Sequence, residues 1–212
     1  MTMNPHRFLV LLSVAAAASL ASAPAPASAS PTCTREVRAL QVRLLALGYP
    51  SGSLDGCAGS GTRSAVQAFQ KVNGLRPDSV AGPATRRAMR APRAVRPALT
   101  RRGRHFEVDL ARQVILRVFD GRVTAVYAVS TGQRGFETPR GTYSVQRKET
   151  RSWSVPYRVW LPWASYFTSD GIAIHAGELP PGPASHGCVR VAAAVAAGIY
   201  STMPRGTTIV VR

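Results

Sequence analysis

Acidic residues and lysine are scarce in this chain of 212 residues. There are 10 aspartates and glutamates against 27 lysines and arginines, and the formal net charge at pH 7 is +17. Lysine occurs only at Lys71 and Lys148, so arginine supplies nearly all of the positive charge. A balance this basic favours a polyanionic partner, through long-range attraction and counterion release. The alternative is that the arginines reflect a GC-rich genome and carry no function.

Long apolar runs are absent beyond the N-terminus. The run from Phe8 to Leu12 follows Arg7 and continues through alanine-rich sequence to Ala27-Ser28-Ala29. This pattern is typical of a secretory signal peptide, and we place the cleavage after Ala29, so that residues 1–29 are removed. No later segment approaches the ~20 apolar residues that a membrane helix needs, which argues against stable membrane insertion. The mature chain is therefore expected to be secreted.

Cysteine occurs only three times, at Cys33, Cys57 and Cys188. An odd number leaves one thiol over after any pairing within the chain. In a secreted protein that thiol is either an intermolecular linker or a reactive group. An oxidising location permits a disulfide between Cys33 and Cys57, which would close a loop of about two dozen residues and stabilise the fold by roughly 3 kcal/mol.

Cys188 lies in a short stretch with several reactive side chains, Ser185-His186-Gly187-Cys188-Val189-Arg190. Upstream of it, the apolar residues 172–174 predict a buried strand that ends at His175. A cysteine nucleophile needs a base, donors for the developing oxyanion and a group that binds the substrate. This segment offers all three, and Gly187 allows the tight turn that aims backbone amides at a reacting carbonyl.

The same residues permit a second interpretation, a zinc site. Its ligands would be His175, His186, Cys188 and Glu178. The chain has no paired Cys-x-x-Cys or His-x-x-x-His spacing, which argues against zinc.

Residues 30–90 contain a weak internal duplication. An Asp, a Gly four residues later and a Thr three residues beyond occur from Asp55 to Thr62 and again from Asp78 to Thr85. Apolar residues at helical spacing predict one helix over 37–47 and a second over 65–72, and Gly82-Pro83 opens a shorter third helix. The sequence therefore predicts a small three-helix unit closed by the disulfide.

Beyond this unit the composition changes twice. Residues 91–103 are rich in proline and arginine and lack an apolar period, which is typical of a semi-rigid linker. From residue 104 to 212 apolar residues tend to recur at every second position, which is typical of β-strands. A hairpin turn is predicted at Asp120-Gly121, and further strand-like runs extend up to 207–211. With one helix predicted from Ala192 to Tyr200, this part is expected to be mainly β, as a sandwich or barrel.

Several short motifs in residues 30–90 match the pattern of a known family. They are Leu40-Gln41, Leu44, Leu47-Gly48-Tyr49, Asp55-Gly56, Gly59, Thr62, Ala65-Val66, Phe69-Gln70, Gly74-Leu75, Gly82 and Thr85. With them this unit resembles the peptidoglycan-binding domain found beside many wall enzymes. It departs from the pattern at Ser79 and at Cys57-Ala58. The alternative is a helical spacer without affinity for a ligand.

The second part of the chain also carries family motifs. Besides Ser185 to Arg190 they are Thr131-Gly132 and the sequence from Thr138 to Tyr143. Together with the predicted strands, they resemble the L,D-transpeptidase catalytic domain of the YkuD type over residues 104–212. The fold class implied is α+β and multidomain, a three-helix peptidoglycan-binding domain followed by this mainly β, sandwich-like catalytic domain.

The resemblance implies roles for individual residues. Cys188 would be the acylated nucleophile and His175 its general base, with backbone amides near Gly187 and Cys188 as the oxyanion hole. His186 would orient the thiolate or the substrate, or merely pack. Arg190 offers a fork suited to a substrate carboxylate, unless it is one more surface arginine.

Ser185 is assigned to substrate binding with Arg190. The spacing from His175 to Cys188 is short for the family, so the resemblance does not predict the shape of the substrate lid. Ala176 follows the predicted base, and in this family the third catalytic residue can act through its backbone carbonyl, so no particular side chain is needed there.

The implied function is that of an exported cell-wall enzyme. Cys188 would be acylated by a peptidoglycan tetrapeptide stem, D-Ala would leave, and an amine of another stem would form a 3→3 cross-link. Hydrolysis instead would make the enzyme an L,D-carboxypeptidase, and a non-enzymatic peptidoglycan-binding protein is the alternative from another class. The expected partners are peptidoglycan and anionic wall polymers rather than nucleic acid, and no cofactor or metal is expected.

Overall fold

The structure is a computed structural model, and it describes residues 33–212. The predicted signal peptide lies outside the described residues. Helices come first and a β-sheet follows, as predicted. Within residues 33–212 no helix combines the length and apolarity needed to cross a membrane.

Three helices form the N-terminal unit, which confirms the prediction. They are α1 (Arg35–Ala46), α2 (Ser60–Asn73) and α3 (Pro83–Ala88). Thr34 caps α1 by accepting a hydrogen bond from the Val37 amide. Helix α2 ends at Gly74, which adopts a left-handed conformation with φ 68°. The disulfide joins Cys33, just before α1, to Cys57 in the loop before α2.

The sequence duplication corresponds to a repeated hydrogen-bond network. In the first copy the buried Gln41 side chain donates to Asp55 Oδ1 and to Thr62 Oγ1, both at 2.9 Å. The hydrogen bond from Gln41, followed by those from the Cys57 amide and the Ser53 hydroxyl, lowers the pKa of Asp55 to about 2. The second copy repeats the arrangement with Gln70, Asp78 and Thr85. A glutamine on each helix thus fixes the loop that leads into the next helix.

Nine strands form one curled mixed sheet, and the mainly β prediction for this part is confirmed. The strands are β1 (Arg104–Asp109), β2 (Val114–Phe119), β3 (Arg122–Ser130), β4 (Gly141–Ser144), β5 (Arg147–Ser154), β6 (Val159–Tyr166), β7 (Ala173–Ala176), β8 (Val189–Val191) and β9 (Thr208–Val211), with α4 (Ala193–Ser201) between the last two. Their order is β4-β9-β1-β2-β3-β8-β7-β6-β5. The pairs β1·β9 and β7·β8 are parallel and the others are antiparallel.

The helical unit packs directly on the sheet. Leu44 and Phe69 of the helices share one buried apolar cluster with Leu116 and Val126 of the sheet. The neighbouring Ile115 points to the other side and joins a second cluster together with α4. Strand β2 is therefore buried on both faces. This docking is a finding of the structure, since the proline-rich linker sequence carries no signal of it.

Lys71 connects helix α2 to the sheet by polar contacts. Its ammonium donates hydrogen bonds to the carbonyl oxygens of Val129 at 2.8 Å and Gln113 at 3.2 Å. No carboxylate within the described part of the chain lies within 4 Å of it. Because burial penalises the charged form, the pKa of Lys71 falls to about 8.

Replacing Lys71 by methionine tests this contact through the pH dependence of stability. Between pH 8 and 10.5 the unfolded chain binds more protons at this residue than the folded chain does. The parent protein should therefore gain stability relative to Lys71→Met as the pH rises through this range, by at most about 3 kcal/mol. Urea unfolding of both proteins below and above this range measures the difference.

Other titrating groups, including Lys148, are present in both proteins and cancel in the comparison. If the unfolding free energies of the parent and of Lys71→Met change with pH in parallel, the Lys71 ammonium is not desolvated in the folded protein.

Candidate active site

The predicted site residues meet where two parallel strands lie side by side. In the register of β7 and β8, His175 lies opposite Arg190 and Ile174 lies opposite Val189. Cys188 comes immediately before β8. Because side chains two residues apart in a strand share a face, Cys188, Arg190 and His175 project from the same face of the sheet.

These side chains line a cavity of about 440 Å³. Five of the six residues predicted for catalysis and substrate binding are in its wall, namely His175, Ser185, His186, Cys188 and Arg190. The β5–β6 hairpin also contributes to the wall, with Tyr157 and Trp160, two residues that the sequence motifs did not include. Gly187, the sixth, is not among the lining residues; it lies in the turn between His186 and Cys188.

His175 has the geometry of a base with a fixed tautomer. Its Nδ1 lies 2.8 Å from the carbonyl oxygen of Ala176, to which an Nδ1–H donates, so that Nε2 keeps its lone pair. Burial lowers the pKa of His175, and the charge of Arg190 acts in the same direction, while the hydrogen bond to Ala176 opposes them. The imidazole is therefore neutral at neutral pH.

Cys188 is protonated in the resting site. Burial raises the pKa of its thiol, and the negative charge of Asp170 adds to that effect. A hydrogen bond from the Ala173 backbone and the positive charge of Arg190 lower the pKa but do not offset burial. The resting cavity thus holds a thiol and a neutral imidazole, not a thiolate and an imidazolium.

The turn before Cys188 is held by a buried threonine. Gly187 has a φ of 110°, which favours glycine. Its carbonyl accepts a hydrogen bond of 2.7 Å from Thr138 Oγ1, which in turn accepts one from the Gly132 amide at 3.0 Å. The sequence motifs included Thr138, but nothing in them indicated this contact, because its partner lies 49 residues away in the chain.

Ser185 serves the same turn. Its hydroxyl donates to the carbonyl of Cys188 and accepts a hydrogen bond from the Gly187 amide at 3.2 Å. The side chain is buried. The hydroxyl is therefore occupied within the turn, and a direct contact of Ser185 with substrate stays a prediction.

His186 is exposed at the rim of the cavity, where two aromatic rings contact it. It stacks on Tyr157 with ring centroids 4.6 Å apart, and it meets Phe136 edge to face at 4.6 Å. These contacts fix the orientation of the imidazole.

Arg190 presents an unpaired guanidinium to the cavity. Among residues 33–212, no carboxylate lies within 4 Å of it. Its aliphatic stem passes over Gly177, where an added Cβ would lie 3.1 Å from the arginine Cδ and Cγ. A cation held in a partly buried wall without a partner is suited to a carboxylate of a ligand.

The zinc interpretation finds no matching geometry. In the part of the chain that the structure describes, no three His, Cys, Asp or Glu side chains are grouped so that they could hold a metal ion.

Comparisons with known proteins identify two family domains in the chain. The chain matches the family profile of the L,D-transpeptidase catalytic domain over residues 103–211 and that of a peptidoglycan binding domain over residues 34–89. A comparison with curated protein sequences found no significant match.

Two similar solved structures cover most of the chain. The crystal structure of an L,D-transpeptidase from Xylanimonas cellulosilytica has 35% identity and a TM-score of 0.78, and covers 90% of this chain and 100% of that one. An L,D-transpeptidase from Stackebrandtia nassauensis has 26% identity and a TM-score of 0.54, and covers 90% of this chain and 97% of that one. The chain therefore belongs to the L,D-transpeptidase family with a YkuD-type catalytic domain, which here follows a peptidoglycan-binding domain.

Proposed function

We propose that this protein is an exported L,D-transpeptidase that uses Cys188 as its nucleophile on tetrapeptide stems of peptidoglycan. The observation that carries the proposal is the common cavity of a thiol, a neutral imidazole and an unpaired guanidinium. The peptidoglycan-binding domain supports peptidoglycan as the substrate. The Cys33–Cys57 disulfide is consistent with export to an oxidising location.

Acylation begins with the neutral pair. As Cys188 Sγ attacks the carbonyl carbon of the diamino-acid residue, its proton passes to His175 Nε2. The Ala176 carbonyl stabilises the imidazolium that forms, through the Nδ1–H hydrogen bond. When the C–N bond breaks, Nε2 returns the proton to the amine of the departing D-Ala, and a thioester on Cys188 remains. The guanidinium of Arg190 is suited to bind a carboxylate of the stem during this step.

The oxyanion is assigned to the backbone next to Cys188. The Gly187 amide already donates to Ser185 Oγ, so the Cys188 amide is the better candidate for the first donor. Thr138 fixes the Gly187–Cys188 peptide through the carbonyl of that same peptide unit, because the Gly187 carbonyl and the Cys188 amide belong to one plane.

Resolution of the thioester decides the product. An amine from a second stem gives the 3→3 cross-link, whereas water gives a trimmed stem and L,D-carboxypeptidase activity. Mass spectrometry of the products from purified protein and a disaccharide-tetrapeptide distinguishes a cross-linked dimer from a tripeptide.

The variant Cys188→Ser tests the nucleophile. A serine hydroxyl is far less nucleophilic than the thiol at neutral pH, so D-Ala release should fall by roughly a thousandfold or more. The exchange replaces one partly exposed atom, and thermal unfolding should show the parental transition. D-Ala release at the parental rate from this variant would rule out Cys188 as the nucleophile.

The pH dependence tests the resting protonation state. The lowered pKa of His175 predicts that the rate of acylation reaches half its plateau below the ordinary histidine value of about 6.5. The raised pKa of Cys188 predicts that alkylation by iodoacetamide, which consumes thiolate, keeps increasing above pH 9. A preformed thiolate–imidazolium pair would instead give alkylation that is already at its plateau near pH 7.

The variant Thr138→Val tests the support of the turn. It keeps the shape of the side chain but removes the hydroxyl that serves Gly187 and Gly132. We expect kcat to fall by about 10 to 100-fold with a smaller change in KM, since a displacement of the reacting groups by about 1 Å can cost about 100-fold in rate. Thr138→Ser keeps the hydroxyl and should restore most of the rate. Equal rates for the valine and serine variants would contradict a positioning role.

A further inference from the structure

A second cavity, of about 550 Å³, adjoins the catalytic cavity. The two share a wall that includes Trp160, Gly177 and Glu178. The far wall of the second cavity is the face of helix α2 that carries Ser60, Arg63, Ser64 and Gln67. The peptidoglycan-binding domain and the catalytic domain therefore form this cavity together, directly beside the cavity of Cys188.

Gln67 brings a buried acceptor without a partner to this cavity. The side chain is 3% exposed, and its Nε2 donates to the Leu179 carbonyl at 3.4 Å. Its Oε1 is buried and has no hydrogen-bond partner within residues 33–212. The wall of the cavity formed by helix α2 thus contains a buried hydrogen-bond acceptor whose requirement for a donor is not met by the described residues.

Glu178 brings a negative charge to the shared wall. Of the chain's ten carboxylates, eight accept a hydrogen bond from the described residues. Glu178 and Asp170 are the other two, and within 4 Å of Glu178 there is no cationic side chain among residues 33–212. In a protein of net charge +17, an unpaired carboxylate at the junction of two cavities is suited to a cationic ligand group.

Arg63 brings a positive charge to the far wall. It is exposed, it lines the second cavity and not the first, and its Nη1 donates to the Ala58 carbonyl at 2.9 Å. Its remaining donors are available to a carboxylate. The cavity thus has its negative charge on the side nearer Cys188 and its positive charge on the side of helix α2.

We propose that this second cavity binds the acceptor of the transfer reaction, the diamino-acid residue of a second peptide stem. The side-chain ammonium of the acceptor lies toward Glu178, and its carboxylate lies toward Arg63. This polarity directs the amine, and not the carboxylate, to the thioester on Cys188. The proposal rests on the acyltransferase function proposed above and adds the site and the charge pattern of the second substrate.

The transfer step uses the bound amine, the thioester on Cys188 and the imidazole of His175. The bound ammonium loses one proton to solvent, and the neutral amine attacks the thioester carbonyl. The C–N bond forms, the C–S bond breaks, and the second amine proton passes to His175 Nε2. The sulfur leaves as the thiolate and takes that proton from His175, which restores the resting thiol and neutral imidazole.

The experiment measures how the acyl-enzyme divides between transfer and hydrolysis. The donor is a disaccharide-tetrapeptide, and the acceptor is a synthetic tripeptide that ends in lysine, with either a free carboxylate or a carboxamide. For the parent protein we expect the free-acid acceptor to be used about tenfold better than the amide, since only the acid can pair with Arg63. Salt at about 0.3 M limits the contribution of the overall positive charge.

Two variants test the two charges separately. Glu178→Gln should lower the ratio of transfer to hydrolysis at least tenfold for both acceptors, because it removes the partner of the ammonium and keeps the shape. Arg63→Met should abolish the preference for the free acid over the amide. Glu36→Gln is the matched control, since it removes one carboxylate from the wall of another cavity, and it should keep the parental ratio.

The outcomes separate this proposal from the function on which it rests. A parent protein that releases no D-Ala from the donor contradicts the acyltransferase function. The acceptor site alone is overturned if the parent protein transfers normally but neither variant has its expected effect. In that case Glu178→Gln keeps the parental ratio of transfer to hydrolysis, and Arg63→Met keeps the parental preference for the free-acid acceptor. Both side chains are exposed, so loss of folding is not expected, and the thermal transition of each variant checks this.

Discussion

The parallel pairing of β7 with β8 is the constraint on which the site depends. It sets His175 opposite Arg190 and leaves Cys188 one residue before the start of β8. The apolar partners Ile174 and Val189 fix the register because both are buried in the core. A shift by one residue would turn the three reactive side chains to different faces and expose the apolar ones. Packing of the core therefore fixes the relative positions of His175, Cys188 and Arg190.

Burial determines the protonation state of this pair and also protects it. A thiol with a raised pKa contains little thiolate, and thiolate is the species that oxidises and exchanges with disulfides. This matters in a chain that also holds the Cys33–Cys57 disulfide. The same burial keeps His175 neutral, so that its imidazole is able to accept a proton.

Features formed by neighbouring residues could be predicted from the sequence, whereas contacts between distant segments could not. The stretch around Cys188 and the strand ending at His175 could be predicted because a two-residue period and a short motif carry them. The Thr138–Gly187 contact could not, since neither residue signals the other across 49 positions. The repeated Gln41 and Gln70 were visible in the motifs, but only the structure shows that each fixes an Asp–Thr loop.

The docking of the helices changes how a peptidoglycan-binding domain can contribute. A binding domain on a free tether raises the local concentration of an enzyme on its substrate but does not orient it. Here helix α2 shares an apolar cluster with β2 and β3, and Lys71 bonds to backbone carbonyls next to them. Relative movement would break these contacts and expose their apolar surface. Helix α2 therefore stands at a fixed distance from Cys188, and a ligand on its face would be oriented as well as concentrated.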